Sequence, residues 1–146
     1  QTLDDLKNNI GLYKEALSKQ GFDPQAKEIT LMLHTFVGKD DAVVKQQVKK
    51  HLVQYIKNHL NLYETSLNAE DVLTDEDKEA LAEYSFEKYY ETSGLLGSIE
   101  KCAGMAKRME ALGVTEIACL IDFGLDHDLA MQGVEHLCEL NAFLAN

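Results

Sequence analysis

ITLMLHTFV, residues 29–37, and TEIACLID, residues 115–122, are short and almost wholly apolar, and each follows a helix-like segment that ends in glycine. Strands of a parallel sheet covered on both faces have this continuous apolar character. The helical pattern at 98–112 (SIEKCAGMAKRMEAL) stops at Gly113 and leads at once into the second run, one α-then-β step of an α/β fold. Such folds carry five or eight strands, and these runs supply two. The expectation is therefore one domain over 1–146, predominantly helical, that forms part of a larger protein.

Outward from these runs the chain reads as helices. Leu3, Leu6, Ile10, Tyr13 and Leu17 recur three and four apart, an apolar stripe over residues 2–19 that Gly21 ends, with Asp23-Pro24 turning into the first strand. Asp40 is the expected N-cap of a long helix to Tyr63, with Val44, Val48, Leu52, Tyr55, Ile56, His59 and Tyr63 on a broad face. After a looser stretch with Asn68 as a further cap candidate, Thr74 caps a helix to Glu91, and Gly94 and Gly97 break the chain. A last helix spans 128–144. The stretch between the strands far exceeds what a simple crossover needs. The excess, a helical insertion over 38–97, begins and ends at the face where the strands' C-terminal ends lie. Lids and substrate pockets are built there, and dimer surfaces as well.

Composition narrows the function. A chain of 146 residues that is 45% hydrophobic can form one ordinary core but is too short for a closed eight-stranded barrel, which takes about 250 residues. It starts at Gln1 without methionine, signal-like segment or membrane-length apolar run, so a soluble chain cut or sequenced short is expected. Cys102, Cys119 and Cys138 have no CxxC spacing and suit buried thiols in a reducing cytoplasm. A net charge of −11 argues against nucleic acid as a partner. The acidic stretch 64–91 reads as a solvated helix face or as an acidic docking surface. His51 and His59, eight apart, make no HExxH zinc site; no metal is expected, and no hydrolase signature appears.

Taken in order, ITLMLHTFVG, the long insertion, YYETSGLLGSIEKC and ALGVTEIACLIDFG resemble the C-terminal part of bacterial luciferase-like flavin monooxygenases, closest to the branch associated with nonribosomal peptide and polyketide synthases. HTFVG and GVTEIACLIDFG are the stretches most specific to that branch. The resemblance implies an incomplete (β/α)8 TIM barrel, the two strands being the family's seventh and eighth. It implies reduced FMN and O2 acting on a small organic or carrier-bound substrate, with a flavin reductase or carrier protein as partner. Most flavin contacts would lie in six strands absent here, so the piece alone is expected to be inactive. Unpaired strand edges predict a homo-oligomer, and the competing reading is a non-catalytic helical self-association module derived from such an enzyme.

Strand parity places His34 on the barrel interior with Thr30, Met32 and Phe36, and an inward Asp122 with Ala118 and Leu120. Both polar residues then fall toward the C-terminal ends of their strands, where barrel chemistry sits. His34 is the catalytic candidate, able to donate to or accept from a flavin carbonyl or a peroxide oxygen. The alternative is a buried neutral histidine bonded to a carbonyl or to Thr35. Asp122 can position a substrate amine, orient a histidine, or cap the last helix, a role open also to Asp126 and Asp128. Thr35, Phe36, Phe123, Ser93 and Ser98 complete the expected substrate- and flavin-proximal set. The Ser93 to Ser98 turn offers either an anion site at a helix N-terminus or an ordinary Ser98 cap. Tyr84, Tyr89 and Tyr90 are pocket-lining or core residues.

Overall fold

A computed structural model describes residues 3–67 and 73–145, with side chains for 3–60 and 73–145. Among them are five α-helices and three strands: α1 (Leu3–Lys19), β1 (Thr30–Gly38), α2 (Asp41–Leu67), α3 (Asp75–Thr92), β2 (Leu95–Ser98), α4 (Ile99–Leu112), β3 (Glu116–Leu120) and α5 (His127–Leu144). The fold is α/β and mostly helical. Asn68, a further cap candidate, lies outside the described residues. No helix among the described residues is long and apolar enough to cross a membrane.

The expectation of two strands is corrected to three. LLGS, at the end of the helical insertion over 38–97, where Gly94 and Gly97 break the helical pattern, forms β2, and the all-parallel sheet has the order β2-β1-β3. The neighbours of β1 divide its length. β3 runs beside Thr30–His34, from Thr30↔Glu116 to His34↔Leu120, while β2 runs beside Thr35–Gly38, from Thr35↔Leu95 to Gly38↔Ser98. β3 is also shorter than its apolar run, so Asp122 lies beyond the strand in the connection to α5, exposed, rather than on an inward strand position.

Alternation gives the sheet two faces. Leu31, Leu33, Val37, Leu95, Ile117 and Cys119 join one apolar cluster with Ile10 of α1, Cys102, Met105 and Met109 of α4, and Leu140 of α5. On the other face Phe36 and Leu96 pack with Val44, Val48, Leu52, Ala82, Phe86 and Tyr90 from the antiparallel α2–α3 hairpin, and with Phe123. The hairpin covers the C-terminal half of β1 only, leaving Met32 65% exposed on the same face. Gly133 lets α5 lie against the Phe36 ring, since a Cβ there would stand 2.8 Å from Cδ2.

Over its described part the acidic stretch is an exposed helix face on which several carboxylates are paired. Its glutamates face the lysines of α2: Lys45 meets Glu87 at 2.7 Å, Lys49 meets Glu83 at 3.6 Å, Lys57 pairs with Glu79, and Lys101 of α4 reaches Glu91 at 3.2 Å. Exposed pairs add little stability. The seam itself rests on Val48, Leu52, Ala82 and Phe86, each 0–1% exposed. Burying a side chain the size of Leu52 or Phe86 is worth about 1.5–3 kcal/mol, so apolar packing dominates.

Helix ends follow local chemistry. Thr74 and Asp77 form a capping box at the start of α3, and Asp126, rather than Asp122 or Asp128, caps α5 through Leu129 N–H. Gly113, at φ +99°, ends α4: its N–H reaches Glu110 O and the Val114 N–H reaches Met109 O. That left-handed turn delivers the chain to β3.

Candidate functional site

His34 sits in the middle of β1 on the hairpin side of the sheet. Three aromatic rings meet it edge-on, from three elements: Tyr55 of α2 at 4.6 Å between centroids, Tyr89 of α3 at 5.4 Å, and Phe123, just past β3, at 5.6 Å. Interplanar angles of 74–80° are the T-shaped geometry that aromatic quadrupoles favour. His34 Nδ1 lies 2.8 Å from the Tyr89 hydroxyl. His34 Nε2 is buried and has no hydrogen-bond partner among the described residues.

Electrostatics follow from this enclosure. Burial lowers the His34 pKa below 6.5, and the nearby His59 lowers it further, so the imidazole is neutral at physiological pH. Burial raises the Tyr89 pKa above its usual value, opposed in part by the His34 backbone and reinforced by Tyr55, so its hydroxyl keeps its proton. A neutral imidazole beside a protonated phenol can pass or share a proton, and the second ring nitrogen remains for a ligand.

An apolar pocket of about 330 Å³ opens beside the His34 ring, walled by Leu52, Tyr55, Ile56, His59 and Leu60 of α2 and by Tyr89. His59 stacks on Tyr55, one helical turn away, at 4.5 Å between centroids. Tyr55 also borders a second, more polar pocket of about 280 Å³, lined by Lys50, His51, Gln54, Asn58, Asp122, Phe123 and Gly124. There His51 Nδ1–H donates to Gly124 O at 2.6 Å. A larger cleft, about 730 Å³, lies elsewhere, between α4, α5 and β3; its described lining contains no histidine, and the perturbed imidazole–phenol pair makes the smaller pocket the candidate site.

The expected site residues separate. His34 and Phe123 come together, with Phe36 buried two residues along the same strand face. Asp122 stands at the adjoining polar pocket. Thr35 does not join them: it is buried, alternation turns it toward the opposite face, and its hydroxyl donates to Leu33 O at 2.9 Å. Ser93 is the C-cap of α3 and borders a separate cleft of about 200 Å³ with Leu31, Met32 and Met105. Ser98 is the N-cap of α4, accepting from Lys101 N–H at 3.2 Å. Its own N–H donates to Asp41 Oδ1 at 2.6 Å, so a carboxylate of this chain already occupies that turn.

The tyrosines divide three ways. Tyr84 is 71% exposed. Tyr90 is core, its hydroxyl donating to Asp41 O at 2.8 Å beneath the Lys101 ammonium, which lies 3.7 Å from the ring centroid. Of these three, Tyr89 alone reaches His34. Tyr55 is the contributor that sequence reasoning left among packing residues; its signal was the i,i+4 pairing with His59 on one face of α2. Among the described residues no group of three or more His, Cys, Asp or Glu side chains is placed to hold a metal ion. No protein-family model matches the chain, and a search of curated proteins returns no match.

Proposed function

We propose that this chain is the C-terminal part of an FMN-dependent, luciferase-like monooxygenase, with β1 and β3 as consecutive strands, the seventh and eighth, of a (β/α)8 barrel. The carrying observation is His34: a neutral imidazole tied to Tyr89, with a buried, unpartnered Nε2 beside an apolar pocket. Two features add support. β1 and β3 are parallel lateral neighbours, as consecutive barrel strands are, and the face carrying Thr30 and exposed Met32 is the one a barrel would turn inward.

The donor set fits part of the cofactor. The apolar walls and the orphan Nε2 suit a flat, uncharged ring, whereas the α4 N-terminus, the expected anion site, is satisfied by Asp41. Phosphate contacts then fall to strands outside this chain. When bound, reduced FMN supplies the electrons that activate O2. His34 holds a proton at Nε2 or accepts one there, Tyr89 orients the imidazole, and Leu52, Ile56 and Leu60 exclude water. The substrate is a small organic or carrier-bound molecule, and a flavin reductase or a carrier protein is the partner this chemistry calls for.

Titration with oxidised and reduced FMN, with light scattering on the same samples, tests the reading. Binding at a defined stoichiometry that is lost in His34→Ala is the expected result. A folded chain that binds neither form removes the flavin surface from this segment.

A second reading, a self-association module derived from such an enzyme, rests on the open sheet face at Met32 and on the outer edge of β3, which no strand of the sheet covers. A monomeric mass by light scattering removes it.

A further inference from the structure

Resting on the reading of the His34 face as the working site, we propose that its pocket binds an uncharged aromatic ring bearing one hydrogen-bond acceptor. The acceptor takes the His34 Nε2–H, and Tyr89 is the positioning residue that places the proton there.

The lining dictates the ligand's chemistry. Among the described residues no Lys, Arg, Asp or Glu lines this pocket, so a charged ligand would lose its hydration without gaining a counter-ion from them. Besides His34, three of the described lining groups are rings, Tyr55, Tyr89 and His59, and a flat π-system offers them the face-to-edge contacts that His34 already makes. A volume of about 330 Å³ is at the small end for ligand sites and suits one or two fused rings.

The proton's location follows from Tyr89. Its hydroxyl stays protonated, and His34 Nδ1 at 2.8 Å is its hydrogen-bond partner. In the proposed arrangement the phenol donates to Nδ1, which leaves the single proton of the neutral imidazole on Nε2. That donor is buried and unmatched, and an acceptor on the ligand satisfies it. Since Nε2 has almost no exposure, the entering ring displaces a neighbour; Tyr55, half-buried and nearest of the three rings, gives way.

The test titrates ¹⁵N-labelled protein at mildly alkaline pH with quinoline, with naphthalene, which has the same outline and no acceptor, and with N-methylquinolinium, which adds a charge. Quinoline should bind at least about tenfold tighter than naphthalene, the worth of one buried hydrogen bond, and should shift the His34 ring signals. N-methylquinolinium should not compete. Tyr89→Phe should reduce the preference for quinoline, and Ile56→Trp, which adds bulk to the pocket from its α2 wall, should abolish binding of both neutral rings. Equal affinity for quinoline and naphthalene, unmoved His34 signals, or quinoline binding unaffected by Ile56→Trp overturns the proposal. Flavin titrations separate it from the reading beneath it: quinoline bound as described with no FMN affinity removes the flavin assignment and keeps the pocket, and FMN binding with no quinoline response does the reverse.

Discussion

The Tyr89 hydroxyl stands 2.8 Å from His34 Nδ1, joining a strand to a helix 55 residues further along the chain. The contact exists because the α2–α3 hairpin folds back over the C-terminal half of β1 and turns one face of α3 toward the sheet. Tyr90, next in sequence, is thereby sent into the core.

Tyr89→Phe removes one oxygen and keeps the ring packing. The expected stability loss is about 1 kcal/mol, the usual net worth of one hydrogen bond. The more telling readout is long-range ¹H–¹⁵N NMR of the His34 ring. Wild type should be a single Nε2–H tautomer and the variant a mixture; an unmixed variant would show that Tyr89 does not set the proton.

Stability should depend on pH through His34. Its folded pKa is depressed by burial first and by His59 second, so the unfolded chain binds more protons in the window just below pH 6.5. The stability is complete above pH 6.5 and is lost as pH falls through the lowered folded value. Urea titrations at descending pH should show a smaller loss in His34→Phe than in wild type; parallel curves would refute the assignment.

Two glycines should respond in opposite directions to alanine. At Gly97, φ is +136° and a Cβ would lie 2.5 Å from the Asp41 carboxylate oxygen that receives the Ser98 N–H, so Gly97→Ala should cost about 2 kcal/mol or more. Gly104, inside α4, has nothing within 4 Å of its Cβ position, and Gly104→Ala should stabilise by about 0.5–1 kcal/mol. Thermal unfolding of the two variants is the check.

Thiol labelling should be ordered. Cys138 is exposed and Cys119 half-buried, whereas burial, with the Asp41 charge adding to it, pushes the Cys102 thiol up to about 12. An aromatic disulfide reagent should label Cys138 first and Cys102 only on unfolding. Fast labelling of Cys102 in the native protein would mean that the α4 face opens readily.

Local signals in the sequence located much of this. The parity of ITLMLHTFV put His34 on one face and Leu33 and Val37 on the other, and Thr74, Ser98 and Gly113 marked helix ends by the hydrogen bonds their side chains or backbone can make. β2 was not legible, because four residues that follow Gly94 and include Gly97 show no periodicity and become a strand only through pairing with β1 far along the chain. Nor could spacing separate Tyr84, Tyr89 and Tyr90: which faces solvent, histidine or core depends on the rotation of α3 against α2, set by Ala82 and Phe86 in the seam.

The divided pairing of β1 bears on the order of folding. Thr35 can meet Leu95 only after the two hairpin helices have folded back, since their collapse shortens the span the chain must close; Thr30 meets Glu116 across a still longer loop that contains β2 and α4. The two halves of one strand are thus expected to zip at different times, the C-terminal half first. Substitutions in the α2–α3 seam should then slow refolding, while substitutions beside β3 should mainly hasten unfolding.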